Sequence, residues 1–418
     1  MAHIFRNRWW LIVGSVIGLM VSTGPINIFT FGVFLRAMTA DLGIGRGGLA
    51  SALLVASILS AVVLPFVGMM LDRWGARRVL LPGIVLYAVV TAAQALITAS
   101  FATLYLLFAL KGIAGGGNSP VAYAHAIAKR FDHNRGFALG IAMAGVGLGT
   151  SIVPLLVATM IEHWGWRMAY VGLGVFLLIV AGLPVLAFVR EPQPDTSARA
   201  KQAATALLPG FAVGAVLKSS WRFWGLTVGF LLAVVALNGI ITQIVAILQD
   251  RGASLQAATS VLAASGIAAI VGRIVSGWLV DRLFAPFVGI AFFVLAMIGI
   301  ALVGTGAGGM VPLIGIILCG LTLGAEIDLM AFLVTRYFGL KAYGKIFGTM
   351  FGFFAGATGL GPVISGYSFD VYHSYVPAFV LYEVMLVATC AMLVRLGPYP
   401  FPARPRAAEG AVADAVSA

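Results

Sequence analysis

The stretch Gly68-Met69-Met70-Leu71-Asp72-Arg73-Trp74-Gly75-Ala76-Arg77-Arg78 closes one long apolar run and opens another. Its charges lie between Asp72 and Arg78, and the segments on either side carry none. The core of the stretch returns later in the chain as Gly277-Trp278-Leu279-Val280-Asp281-Arg282. Each time Gly-x-x-x-Asp-Arg follows the second of six apolar runs. A second pair of sites behaves alike: Lys129-Arg130-Phe131 follows the fourth run and Thr335-Arg336-Tyr337 the tenth. These matches imply a parallel duplication of a six-run unit, and duplicated carriers commonly bind substrate between the repeats.

Working outward, twelve runs reach the roughly 20 apolar residues that a bilayer-spanning helix needs. They are 9–35, 48–70, 79–99, 102–128, 136–160, 167–189, 222–249, 256–278, 286–306, 311–335, 345–369 and 374–395. Only 10% of the 418 residues are charged and 61% are hydrophobic, against about 25% charged in soluble domains. Mean hydropathy is +1.05. This excludes a soluble enzyme, a disordered chain and, despite a net charge of +12, a nucleic-acid-binding domain. The expected fold class is an all-α membrane protein of twelve transmembrane helices in two six-helix bundles. The N-terminal bundle covers 1–189 and the C-terminal bundle 222–395. A cytoplasmic linker spans 190–221, opening on the polar stretch 190–202, and a disordered cytoplasmic tail spans 396–418.

The first run, preceded by Arg6 and Arg8, is too long for the core of a signal peptide. With the N-terminus inside, only Arg36, Arg46, Arg167 and Arg251 of the 26 Lys and Arg fall outside, and Lys111 and Arg273 lie within spans. The excess of basic residues on one side predicts cytoplasmic termini. Cys319 and Cys390 sit inside apolar runs and read as buried small side chains, not as a disulfide.

The motif Gly68-x-x-x-Asp72-Arg73-x-Gly75-x-Arg77-Arg78, with twelve spans and a long middle loop, resembles the signature of the major facilitator superfamily. The resemblance implies a gating and structural role for these residues and for Asp281 and Arg282. In that family the Asp lies near helix ends of the other half and the Args pair with carboxylates. Three passages are similar to the branch of monocarboxylate transporters and oxalate–formate exchangers. They are Arg130 to Gly145 leading into span 5, Phe31-Gly32-Val33-Phe34-Leu35 with Asp41, Gly43 and Arg46, and Gly272-Arg273-Ile274-Val275-Ser276-Gly277. In that branch the span-8 Arg binds the substrate carboxylate. Several members carry Asp four residues before it, where this chain has Ala269.

Arg273 lies eight residues before Asp281, about 12 Å into the membrane. A guanidinium at that depth must be paired or line a water-filled cavity, and its planar fork suits a carboxylate. Glu326 lies ten residues before Arg336, about 15 Å deep, so its carboxyl is either neutral or paired with a cation. Asp328 is two residues on and faces elsewhere. Both are proton-coupling candidates, with Glu326 favoured and a purely structural ion pair with Arg273 or another basic group as the alternative; a direct Glu326–Arg273 pair in the empty carrier, broken by substrate, is a further hypothesis. Asn118 follows Gly115-Gly116-Gly117 and precedes Ser119-Pro120, a helix-breaking composition that suits a cavity wall. Asn118, Tyr123, Asn27 and Asn238 are the remaining substrate-binding candidates, with bonding between helices as the alternative. Lys111 is expected to snorkel or pair, and His125 and His133 to be solvated. Gly136, Gly140, Gly145 and Gly149 in span 5 are expected to permit close packing. Glu383, at mid-depth in span 12, has no assigned role. Phe347, Phe351, Phe353 and Phe354 of span 11 would admit an aromatic acid, although lipid contact and core packing are the favoured reading of them.

Nothing resembles a nucleotide-binding loop, a catalytic constellation or a metal cluster, so no catalytic residue, metal or cofactor is expected. The expected activity is secondary transport of a small monocarboxylate by proton symport, by a monomer in a bacterial inner membrane. Its partners would be the carboxylate, protons and the lipid bilayer, with no nucleic acid. An anion exchanger and an exporter of an apolar or cationic compound remain the alternatives.

Overall fold

The computed structural model describes residues 9–131, 135–189, 211, 216, 220–339 and 341–400. His133, the side chains of 135–137, most of the linker and the tail beyond 400 lie outside the described residues. The chain is helical, with ten helices long and apolar enough to cross a membrane among the described residues. Two features hide two further crossings. Arg135–Phe188 runs as one 54-residue helix, yet Gly165 inside it has φ 77° and ψ 165°. That residue is the turn between spans 5 and 6. Span 4 is cut into Phe101–Gly115, Gly116–Asn118 and Pro120–Ala128, so no piece reaches full length. Ser119 and Pro120 cause the cut, since the residue before a proline is pushed to extended geometry and Ser119 has φ −95°, ψ 158°.

The other crossings follow the apolar runs closely. Span 1 comprises Trp9–Met20, a π-helical Gly24–Phe29 and Phe31–Leu42. It therefore continues seven residues beyond the expected 35, until Gly43 ends it at φ 66°. Span 2 is Arg46–Trp74 and span 3 Ala76–Ala93. Gly75 between them takes φ 83°, a backbone that residues with a Cβ avoid. Span 7 is Trp221–Ile241 with Ile244–Asp250, and span 8 Leu255–Val280. Spans 9 and 10 are Ala285–Gly304 and Val311–Phe338. Span 11 is Tyr343–Ala357 with Leu360–Tyr372, and span 12 Val376–Val394. The first residues of the expected disordered tail are packed: Arg222 donates to the Leu396 carbonyl (3.0 Å), Tyr337 donates to the Gly397 carbonyl (2.6 Å), and Tyr399 accepts from the Ala285 amide (2.7 Å). Burial pushes the Tyr399 phenol above its ordinary range.

Lipid tails give no hydrophobic drive between helices, so packing relies on small residues and close backbones. A methyl on Gly145 would stand 2.9 Å from Cα of Val16, and one on Gly149 2.7 Å from Cα of Met20. These two span-5 glycines do seat span 1, whereas Gly140 faces open space. Spans 8 and 10 meet the same way through Gly324 and Ala269.

The two bundles meet from one end inward to mid-depth, where Gly147 of span 5 packs on Gly266 of span 8 and Ser151 donates to the Ala263 carbonyl at 2.9 Å. At that end, Gly359 of span 11 lies against Leu54 of span 2, and Gly32 of span 1 against the Thr242 carbonyl of span 7. Arg46 grips Asp250 through both guanidinium ends at 2.5 and 2.8 Å. It also donates to Tyr375 and lies over the Phe369 ring at 3.7 Å. Burial holds the Tyr375 phenol well above its ordinary range. Asp370 accepts from the backbone amides of Arg46 and Gly47 at 2.9 and 2.7 Å. One bundle thereby supplies the anion that caps a helix of the other. At the opposite end Gly68, Gly277, Gly344 and Gly348 have nothing within 4 Å of where a Cβ would stand. That end is open.

Candidate functional site

A cavity of about 230 Å³ lies between the bundles, walled by spans 1, 2, 4, 5, 7, 8, 10 and 11. Spans 3, 6, 9 and 12 contribute nothing to it. Most of the wall is apolar, with Ile28, Leu64, Met143 and Ile270 among its members. Polar groups are few and placed by breaks in the helices. The π-helical turn of span 1 presents Asn27, and the break in span 4 presents Ser119.

Of the sequence candidates, Arg273, Glu326, Asn27 and Asn238 line this cavity. Arg273 is its one lining cation among the described residues. Its Nε lies 3.2 Å from Asp328 Oδ2, and both side chains are partly exposed, although Asp328 does not line the cavity. The Glu326–Arg273 pair is therefore not formed. Positions 326 and 328 point about 200° apart around a helix, and it is Asp328 that reaches span 8. Glu326 is fully buried, and neither of its carboxyl oxygens has a hydrogen-bond partner among the described residues. Asn27 Oδ1 and Ser119 Oγ, on the N-terminal bundle side of the same cavity, also lack partners among the described residues. Buried polar atoms without partners are rare and costly, and four lining one cavity mark a place for polar ligand atoms. Ser119 escaped the sequence reading, although its place between Asn118 and Pro120 is where a broken helix frees polar groups.

Asn118 and Tyr123 do not line the cavity. Asn118 donates to the Val21 carbonyl at 2.9 Å, and Tyr123 donates to Asn118 Oδ1 at 2.9 Å. Both are fully buried and join spans 4 and 1. The alternative of bonding between helices holds here, because the break rotates the side chain at 118 inward and exposes that at 119 instead. Lys111 neither snorkels nor meets a carboxylate among the described residues. It is 2% exposed, with Nζ 5.2 Å from the Tyr170 ring centre. Glu383 lies in a separate, apolar groove between spans 9 and 12.

Asp72 of the interspan motif pairs with His125 of span 4 at 3.1 Å, within its own bundle, and is itself 78% exposed. Among the described residues it forms no ion pair or hydrogen bond across the bundles, contrary to its expected place near helix ends of the other half. Arg282, from the second copy, lies over the Trp278 ring at 4.0 Å.

Residues 11–362 match the family model described as Major Facilitator Superfamily. An uncharacterized MFS-type transporter, YcxA of Bacillus subtilis, is 25% identical over 94% of this chain and 93% of its own. Monocarboxylate transporter 12 of Xenopus laevis is 31% identical over 48% of each chain. Among solved structures, a D-xylose–proton symporter superposes with a TM-score of 0.73 at 14% identity, covering 93% of this chain and 98% of that one. Its likeness is one of fold.

Proposed function

The chain belongs to the major facilitator superfamily, and from that premise we propose that this membrane transporter carries a small monocarboxylate with a proton by alternating access. The observation that carries the reading is Arg273 on the cavity wall, paired with Asp328, which is not itself a lining residue, and Glu326 unpartnered in the same cavity. A substrate carboxylate competes with Asp328 for the guanidinium fork. Asp328, once released, takes a proton, so that charge stays balanced inside the membrane. The pairing supports Asp328 for this role over Glu326, which becomes the second proton site. Ala269, also on the wall, stands where several members of the monocarboxylate branch carry Asp; here span 10 supplies the carboxylate instead.

The pair also favours symport over exchange. With Arg273 neutralised by Asp328, the empty carrier has no bare cation to drag through the bilayer when it reorients. A cationic substrate is disfavoured, because Arg273 would repel it. With the termini in the cytoplasm of a bacterial cell, the open end faces inward and the Arg46 cluster seals the outer end. The carrier works as a monomer, since the cavity is complete within one chain.

Uptake of labelled monocarboxylates into proteoliposomes, with and without an inward proton gradient, tests this. Wild type should concentrate substrate only with the gradient, and Arg273→Ala should lose uptake. Asp328→Asn should keep downhill flux and lose the response to the gradient; the same phenotype in Glu326→Gln alone would move the proton to Glu326. Uptake that needs a preloaded anion and ignores the gradient would refute symport.

A further inference from the structure

Span 11 carries a file of stacked rings. Tyr343 and Phe347 have centroids 5.5 Å apart at 9°, Phe347 and Phe351 5.9 Å apart at 22°, and Phe351 and Phe354 5.8 Å apart at 18°. The file spans twelve residues, about 16 Å along the helix, from the open mouth to the cavity. Phe351 and Phe354 line the cavity itself. Tyr343 and Phe347 are only half-buried. Beside them, Gly344, Gly348 and Gly352 have nothing within 4 Å of a Cβ position, so among the described residues no side chain or backbone packs closely on that strip. Phe353 is different: it turns away, packs on Trp224 at 6.1 Å and is 45% exposed. Of the aromatic residues of this helix, Phe351 and Phe354 therefore face the cavity, Tyr343 and Phe347 continue their stack, and Phe353 faces elsewhere.

We propose that the transported carboxylate bears an aromatic ring, which the file Tyr343–Phe347–Phe351–Phe354 receives at the mouth and holds in the cavity. This rests on the monocarboxylate reading above and adds the class of the substrate's body. The carboxylate meets Arg273 while the ring lies against Phe351 and Phe354. A short hydroxy acid would leave the apolar wall of Ile28, Leu64, Met143 and Ile270 uncovered, whereas a ring covers it. Offset or edge-to-face ring pairs add about 2- to 10-fold to affinity beyond buried area. Two such pairs give a preference of about 4- to 100-fold over a saturated ring.

Binding is read by thermal stabilisation of the purified full chain, because a ligand that binds only the folded state raises its melting point. Benzoate and phenylacetate are compared with cyclohexanecarboxylate and cyclohexylacetate. The saturated rings bury at least as much apolar surface, so area alone favours them. Benzamide serves as the uncharged control. The aromatic acids should half-saturate at concentrations about 10-fold lower than their saturated partners. Phe351→Leu should narrow that ratio to within about 3-fold, and Phe353→Leu should leave it intact. Continued stabilisation of Phe351→Leu by cyclohexanecarboxylate shows that the variant is folded. Equal affinity for the two ring types overturns the inference and leaves the carboxylate reading standing. So does a Phe351→Leu effect that is the same for both, which would make the file a gate. If benzamide binds as well as benzoate, and Arg273→Gln changes neither, the carboxylate reading fails and this inference falls with it.

Discussion

The Arg46 cluster holds the two bundles together, so weakening it should shift the carrier toward the state in which this end is open. Asp250→Asn removes the charge from the bidentate pair while keeping its shape. Breaking a buried pair costs about 3–5 kcal/mol, and an exposed one is worth about 0.2–1 kcal/mol. The side chains of Arg46 and Asp250 are 10% and 24% exposed, which places this pair between those limits, at about 2 kcal/mol. At 1.4 kcal/mol per tenfold the equilibrium should move by about 30-fold. An open population near 1% would rise to about a quarter. Arg46→Ala also loses the Phe369 stack, about 1 kcal/mol more, together with the bond to Tyr375. The double variant should cost no more than Arg46→Ala alone, because both changes remove one interaction. The assay is energy transfer between dyes at Ala40→Cys and Ala307→Cys, both exposed at the closed end, with Cys319 and Cys390 replaced by Ala. Unchanged transfer in Asp250→Asn, or strictly additive shifts, would refute the reasoning.

Three further outcomes follow from the packing. Gly359→Val, whose Cβ would stand 2.5 Å from Cα of Leu54, should wedge the bundles apart and mimic Asp250→Asn in the energy-transfer assay. Tyr123→Phe strands the buried Asn118 oxygen and should cost about 1–3 kcal/mol of stability; the apparent substrate affinity in uptake should stay the same, as neither residue lines the cavity. Gly75→Ala forces a Cβ onto φ 83°, at about 1–3 kcal/mol, read as a lower melting temperature of the purified protein.

The crossings were legible because a bilayer imposes one length and one polarity on every span. Boundaries at 46, 255 and 311 fall within two residues of the apolar runs. Even the break in span 4 was visible, in Gly115-Gly116-Gly117-Asn118-Ser119-Pro120. Which of its side chains faces the cavity was not, because the break changes the rotation of the helix by an amount composition does not encode. Partners across the fold were equally hidden. Arg46 and Asp250 are separated by 204 residues, and nothing local marks either as half of a pair. Glu326 and Asp328 are chemically alike and nearly adjacent. Only the rotation of span 10 against span 8 decides which of them meets Arg273.

The two long walls of the cavity differ in how much change they can absorb. Span 4 is seated backbone to backbone: a methyl on Gly83 would stand 2.7 Å from Cα of Gly117, and one on Gly112 2.7 Å from Cα of Ala56. Such positions tolerate no larger side chain without moving a whole helix. Span 11 has unfilled space beside Gly344, Gly348 and Gly352, and side chains can grow or shrink there without displacing a neighbour. New substrate preferences in this chain should therefore arise by drift along span 11, with span 4 kept fixed. A randomised library directed at 343–355 should yield altered specificity, and one directed at 112–120 should yield mainly misfolded protein.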